Sequence, residues 1–124
     1  MKKMAILSRA SGATTAVLAA PLAVAPAPAA SGAKGLVIET LGRGNVPEGA
    51  MEGVTRARKQ GVVVVFTTRT RGGRVDVAEK AKALGVIGGE DLDGLKARMV
   101  LVAALPRTID SATLQGYYDR LTGR

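Results

Sequence analysis

Cysteine, histidine and tryptophan are absent from the 124 residues, and Phe66, Tyr117 and Tyr118 are the entire aromatic complement. Without cysteine there are no disulfides and no thiolate metal sites, and the chain is compatible with either redox compartment. Without histidine as well, Ser-His and Cys-His nucleophile pairs and the usual zinc ligand sets are excluded. Carboxylates remain, but no local spacing pairs two of them, and Asp91 and Asp93 fit a turn and a helix cap. Thr67, Thr68 and Thr70 would be nucleophiles only with a base beside them, and Arg69 cannot serve because guanidinium does not deprotonate. No metal and no cofactor are expected.

The scarcity of aromatics also bears on the net charge of +8. Arg56, Arg58, Lys59, Arg69, Arg71 and Arg74 form a dense basic stretch, yet none of the three aromatics is interleaved with them. A stacking platform for bases is therefore missing, and a solvated basic face is the plainer account than nucleic-acid binding.

Lys2, Lys3 and Arg9 precede an acid-free apolar stretch, Ala16 to Ala25, that is interrupted by Pro21 and carries Ala-x-Ala endings at Ala23-Val24-Ala25 and Ala25-Pro26-Ala27. Residues 1–30 thus read as a signal-peptide-like or disordered Ala/Pro-rich segment, and residues 31–124 as the domain. The first alternative implies a periplasmic or secreted protein, the second a cytoplasmic one. A membrane anchor is not expected, because the run is too short and too broken by proline to span about 20 apolar residues.

Within the domain, Lys34 to Thr67 reads as one βαβ unit. Gly35-Leu36-Val37-Ile38-Glu39 and Val62-Val63-Val64-Val65-Phe66 lack polar/apolar alternation, as parallel strands covered on both faces do. Between them Ala50, Met51, Val54 and Ala57 fall at helical spacing, with Pro47 as a start signal and Gly61 as a stop. A right-handed crossover sets the loop Leu41 to Asn45 at the carboxyl edge of the sheet, where such folds bind ligands. Gly42-Arg43-Gly44-Asn45-Val46-Pro47 only approximates a dinucleotide fingerprint, since Pro47 stands in the third glycine's place. The loop does offer backbone N–H groups at a helix N-terminus and the amide of Asn45, which suit a carboxylate or carbonyl ligand. Spacing alone favours the plainer alternative, that Asn45 caps its own helix.

Downstream, Val75 to Leu84 reads as a short helix capped by Asp76 and stopped by Gly85, with Val86-Ile87 as a brief strand. Asp93 caps a longer helix with Leu95, Met99, Val102 and Leu105 as its buried stripe and Pro106 at its end. Asp110 opens a last helix whose stripe is Leu114, Tyr117, Tyr118 and Leu121.

The segments Gly32 to Glu39, Gly42 to Pro47, Gly61 to Val65 and Leu92-Asp93-Gly94-Leu95-Lys96-Ala97-Arg98, in that order and spacing, resemble the C-terminal domain of bacterial L-asparaginases and glutaminase-asparaginases. The resemblance covers Ser31 to Leu121. It implies a small three-layer, Rossmann-like α/β domain with a short parallel sheet flanked by helices. Complete family members join this domain to a larger one that carries the threonine nucleophile in Thr-Gly-Gly-Thr and Gly-Thr-Asp-Thr motifs; neither motif occurs here. A truncated or split amidohydrolase, inactive alone, is the expectation, with no catalytic residue of its own.

In the family the asparagine of the Gly-x-Gly-Asn loop reaches into a neighbouring subunit's active site, and Asn45 takes that substrate-binding position. An acidic residue from the loop after the second strand does likewise; Glu79 lies near, but the loop is shorter here and the role is not carried over. The implied partners are asparagine or glutamine and either a second copy or a catalytic domain. The alternative is a non-catalytic binding module for a small carboxylate or amino acid. Because the resemblance starts at Ser31, the opening strand is expected to be missing or replaced by the Ala/Pro segment, leaving a sheet edge beside Val37 and poor solubility.

Overall fold

A run of residues with no polar face must be covered on both sides, and the two valine-rich runs are. A computed structural model describes residues 5–10, 13–19, 33–40, 43–46, 48–68 and 73–123. Strands β3 (Ala33–Thr40) and β4 (Val63–Thr68) lie parallel, with Gly35 opposite Val63 and Ile38 opposite Phe66. A two-residue strand β5 (Ile87–Gly88) adds in parallel beyond β4. The domain is α/β, as expected, and its sheet runs in the order β1-β2-β3-β4-β5.

The first two of these strands correct an expectation. Strand β1 (Ala5–Ala10) pairs antiparallel with β2 (Ala13–Ala19), and β2 pairs in parallel with β3, Thr15 to Ala19 facing Gly35 to Glu39. Of the two alternatives for the opening strand, missing or replaced by the Ala/Pro segment, the second holds, since β1 and β2 lie within residues 1–30; β3 is then an inner strand, and the edge expected beside Val37 is absent. The physical reason is an ambiguity of short apolar runs, in which a covered strand and a signal-peptide core look alike. Residues 20–30 of the Ala/Pro segment, with both Ala-x-Ala endings, lie outside the described residues.

Alternate residues of each inner strand feed two cores. Leu36, Ile38, Val64 and Phe66 meet Ala50, Val54 and Ala57 of helix α1 (Glu48–Lys59) and Ala81 of helix α2 (Glu79–Ala83). Val37, Val63, Val65 and Ile87 meet Ala97, Leu101 and Ala104 of helix α3 (Gly94–Ala104), and Leu114 and Tyr118 of helix α4 (Ser111–Leu121). Three layers result.

Helix boundaries follow their caps. Asp93 accepts from the Lys96 N–H and Asp110 from the Thr113 N–H, both as expected of an N-cap. Helix α2 is shorter than expected: Val75 and Val77 are buried with exposed Asp76 between them, a period of two that marks extended chain, and Ala78 rather than Asp76 precedes the helix. The buried stripe of α3 is corrected in part: Leu105 is buried as expected and Val102 is half-buried, but the other two positions are not. Gly94, Ala97, Leu101 and Ala104 face the sheet while Leu95 and Met99 are 64% and 63% exposed, because a helix laid close over a sheet admits small residues at the contact. In α4, Leu114 and Tyr118 are buried as expected, but Leu121 is exposed.

Two polar side chains hold the periphery. Arg58 donates to the carbonyls of Leu84 (2.7 Å) and Val62 (3.0 Å), tying the end of α1 to the turn before β5. The Gln115 amide accepts from the Gly88 N–H (2.8 Å) and donates to the Gly88 carbonyl (3.0 Å) along the outer side of β5. Among the described residues no helix is long and apolar enough to cross a membrane.

Candidate functional site at the carboxyl edge of the sheet

The segment that leaves β3 passes through Arg43-Gly44-Asn45-Val46 before α1 begins. Its shape is fixed from the side: the Asp76 N–H donates to the Arg43 carbonyl at 2.6 Å, and the Val75 N–H to the Glu90 carbonyl at 3.0 Å. Gly44 sits at φ +124°, and a Cβ there would lie 2.7 Å from the Asp76 carbonyl oxygen, so both conformation and space require glycine. Asn45 follows directly and is held where it is by this constraint.

Asn45 is exposed, and no described residue hydrogen-bonds to its side chain; among them the capping alternative finds no bond. Asn45 lines a cavity of about 530 Å³. Val46, Met51, Phe66 and Ala81 give the cavity an apolar floor, while Arg43, Lys80, Glu48 and Asp76 join Asn45 around it. A neutral amide flanked by two cations and two carboxylates is suited to orienting a small zwitterion by hydrogen bonds and charge. Glu48, in the first turn of α1, also sits favourably at the positive end of that helix.

Two threonines near the strand ends, Thr40 and Thr67, are not poised for attack, and Thr68 is buried. Thr40 donates its hydroxyl to the Thr67 carbonyl (2.7 Å) and Thr67 to the Ile38 carbonyl (3.3 Å), and both residues are fully buried. Glu39, on the opposite face, packs against the start of α3, where a Cβ on Gly94 would meet its Oε1 at 2.5 Å. Thr70, Arg69 and Arg71 fall outside the described residues. Glu79 does not line the cavity; its exposed carboxylate pairs with Lys82 at 3.3 Å.

Of the basic stretch, Arg58 is committed to two carbonyls, and Arg74 to the Glu90 carboxylate (3.1 Å) and the Thr122 carbonyl (3.3 Å). These two arginines act inside the fold. Arg43, Glu48, Asp76 and Lys80 were not singled out in the sequence as site residues. The alternation Val75-Asp76-Val77 was the available signal, since it places Asp76 on an extended segment facing the loop instead of on a helix.

Residues 5–118 match the family model described as the glutaminase/asparaginase C-terminal domain. The chain is 36% identical over 89 residues to L-asparaginase 2 of Bacillus subtilis (strain 168), covering 72% of this chain and 24% of that protein. It is 35% identical over 94 residues to one of the subunits of the glutamyl-tRNA(Gln) amidotransferase of Aeropyrum pernix, covering 72% and 22%. The crystal structure of a probable cytoplasmic L-asparaginase from Campylobacter jejuni superposes with a TM-score of 0.72 at 30% identity, over 82% of this chain and 34% of that one. The chain thus spans about a quarter of the length of these curated relatives.

Proposed function

Because the chain belongs to the glutaminase/asparaginase C-terminal domain family, we propose that it supplies the Asn45 side of an amidohydrolase active site whose nucleophile comes from another polypeptide. The observation that carries this is the Asn45 amide, exposed, without an internal partner among the described residues, and set by a loop that only glycine at position 44 allows. Asn45 would hydrogen-bond the polar groups of an asparagine or glutamine substrate and fix its orientation, a contribution by positioning and not by bond-making. The bond-making group would be a threonine of a catalytic domain, since Thr40 and Thr67 are buried with their protons committed to carbonyls. Association of the chain with a catalytic domain, or with a second copy of itself, is part of this proposal.

The test is ammonia release from asparagine and from glutamine by the chain alone and by the chain co-expressed with the N-terminal part of an L-asparaginase relative. Activity is expected only in the pair, and Asn45→Ala should abolish it while the two chains still copurify. Activity unchanged by Asn45→Ala would refute the role given to that residue. Arg43 and Lys80 on the same rim favour a second reading, a module that binds a small carboxylate without chemistry. Calorimetric titration of the chain alone with aspartate separates the two, because only this reading requires binding before any partner is added.

A further inference from the structure

The corrected stripe of α3 leaves apolar surface unaccounted for. Met99, Val100 and Ala103 on α3 and Tyr117 and Leu121 on α4 form the floor of a groove of about 770 Å³ on the face of the molecule opposite α1 and α2. Met99 and Leu121 are 63% and 65% exposed, well beyond what a lone surface residue needs to explain. The charge along the groove has one sign. Arg107 and Arg120 stand on its rim, no carboxylate of a described residue lines it, and neither arginine forms an ion pair with a described residue. Arg120 instead lies over the Tyr117 ring, 5.2 Å from its centre, which keeps its guanidinium beside the apolar floor.

From the shape and charge of this groove we propose that it docks an acidic amphipathic helix from a partner protein, one that lays aliphatic residues at i and i+4 along the floor and directs Asp or Glu to Arg107 and Arg120. Two neighbouring helices present a trough into which a third packs by ridges and grooves, so the concavity fits a helix. Charge selects among occupants. In a two-fold dimer built groove to groove, the arginines of both copies would converge with no acid to receive them, so a second copy is disfavoured. A lipid surface would supply anions, but it is met by a convex apolar face and not by a trough.

The probe is a fluorescein-labelled, lactam-stapled helical peptide with leucine at i, i+4 and i+7 and glutamate on its flanks, compared with the same peptide carrying lysine in place of glutamate. Binding to the full chain is read by fluorescence anisotropy. The glutamate peptide should bind about tenfold tighter than the lysine peptide at low ionic strength, a preference that shrinks with salt as exposed charge pairs do. The double variant Arg107→Glu/Arg120→Glu should reverse the preference. Arg56→Glu/Lys59→Glu, which changes the net charge equally on exposed positions of α1, should leave it intact. Met99→Asp should abolish binding of the glutamate peptide.

Four results would overturn the proposal: no binding of the glutamate peptide; a preference that follows net charge in both double variants; self-association in sedimentation that Met99→Asp abolishes; or binding to phosphatidylserine vesicles, in place of the peptide, that Met99→Asp abolishes. Met99 is exposed, so its substitution leaves the fold in place, and circular dichroism of each variant checks this directly.

Discussion

Glycine-to-alanine exchange at two nearby positions should move stability in opposite directions, and the structure gives both signs. At Gly44 the backbone holds φ +124°, and a side chain forced into such a region costs about 1–3 kcal/mol. The added Cβ would also stand 2.7 Å from the Asp76 carbonyl oxygen, a backbone atom that cannot swing aside. Relief requires stretching the Asp76 N–H to Arg43 carbonyl bond, worth about another 1 kcal/mol. Gly44→Ala is therefore expected to cost about 2–4 kcal/mol if the loop keeps its place. Gly49 lies exposed in the first turn of α1 with nothing within 4 Å of a built Cβ, so alanine there gains helix propensity of up to about 1 kcal/mol.

Urea unfolding of the two variants beside the parent, with the slope m unchanged, reads the difference directly. A Gly44→Ala midpoint equal to the parent's would refute the claim that the loop is pinned to Asp76. So would a shift of both variants in one direction. If the loop instead gives way, stability survives but Asn45 moves, and Gly44→Ala should then lose activity in the co-expressed pair with Asn45 itself intact.

Further outcomes follow from the packed interior and the caps. Tyr118 is fully buried and donates to the Ala97 carbonyl at 2.7 Å; burial holds its phenol well above the ordinary value, so the unfolded chain ionises first as pH rises. Stability should fall above about pH 10 by about 1.4 kcal/mol per pH unit from this group, and Tyr118→Phe should remove that slope; parallel alkaline profiles for parent and variant would contradict it. The Thr113 hydroxyl and N–H bonds to Asp110 lower its pKa, so the cap is held above the ordinary carboxylate range and lost as pH falls through the lowered value. Exchange of the Thr113 amide in acid should report this loosening, and Asp110→Asn should make it independent of pH. Arg58→Met should cost about 2 kcal/mol by releasing the Leu84 and Val62 carbonyls, whereas exposed Arg56→Met should change stability by under about 0.5 kcal/mol; equal effects in thermal unfolding would show that Arg58 is not structural.

What could be read without a structure followed how local each feature is. The inner strands and the caps at Asp93 and Asp110 depend on pattern and nearest neighbours, and they stand where the sequence put them. The resemblance carried the family and the fold. In the stripe of α3, Leu105 was placed rightly, but Leu95 and Met99 were misjudged because hydrophobic size was taken as the sign of burial, whereas a helix pressed onto a sheet buries Gly94 and Ala97 and leaves Met99 out. Strands β1 and β2 were missed because the apolar run that follows Lys2, Lys3 and Arg9 fits a signal-peptide core as well as a strand, and their place depends on pairing with β3, a contact distant in sequence. The rim of the cavity was only partly legible: Asn45 lies in a recognisable loop, but Asp76 and Lys80 reach it by the path of a segment whose sequence also suits a helix.

The amide of Gln115 does for β5 what a whole neighbouring strand would do. It returns one acceptor to the Gly88 N–H and one donor to the Gly88 carbonyl, so the outward row of the last strand ends in a side chain. A sheet grows by offering unpaired peptide groups to a newcomer at about 4.8 Å spacing, and on this flank Gly88 has none left to offer. On the other side β1 is the outermost of the described strands. Among the described strands the sheet is closed by a side chain at Gly88 and ends at β1 on the other flank, so a fibre or augmented dimer formed through these strands would begin at β1.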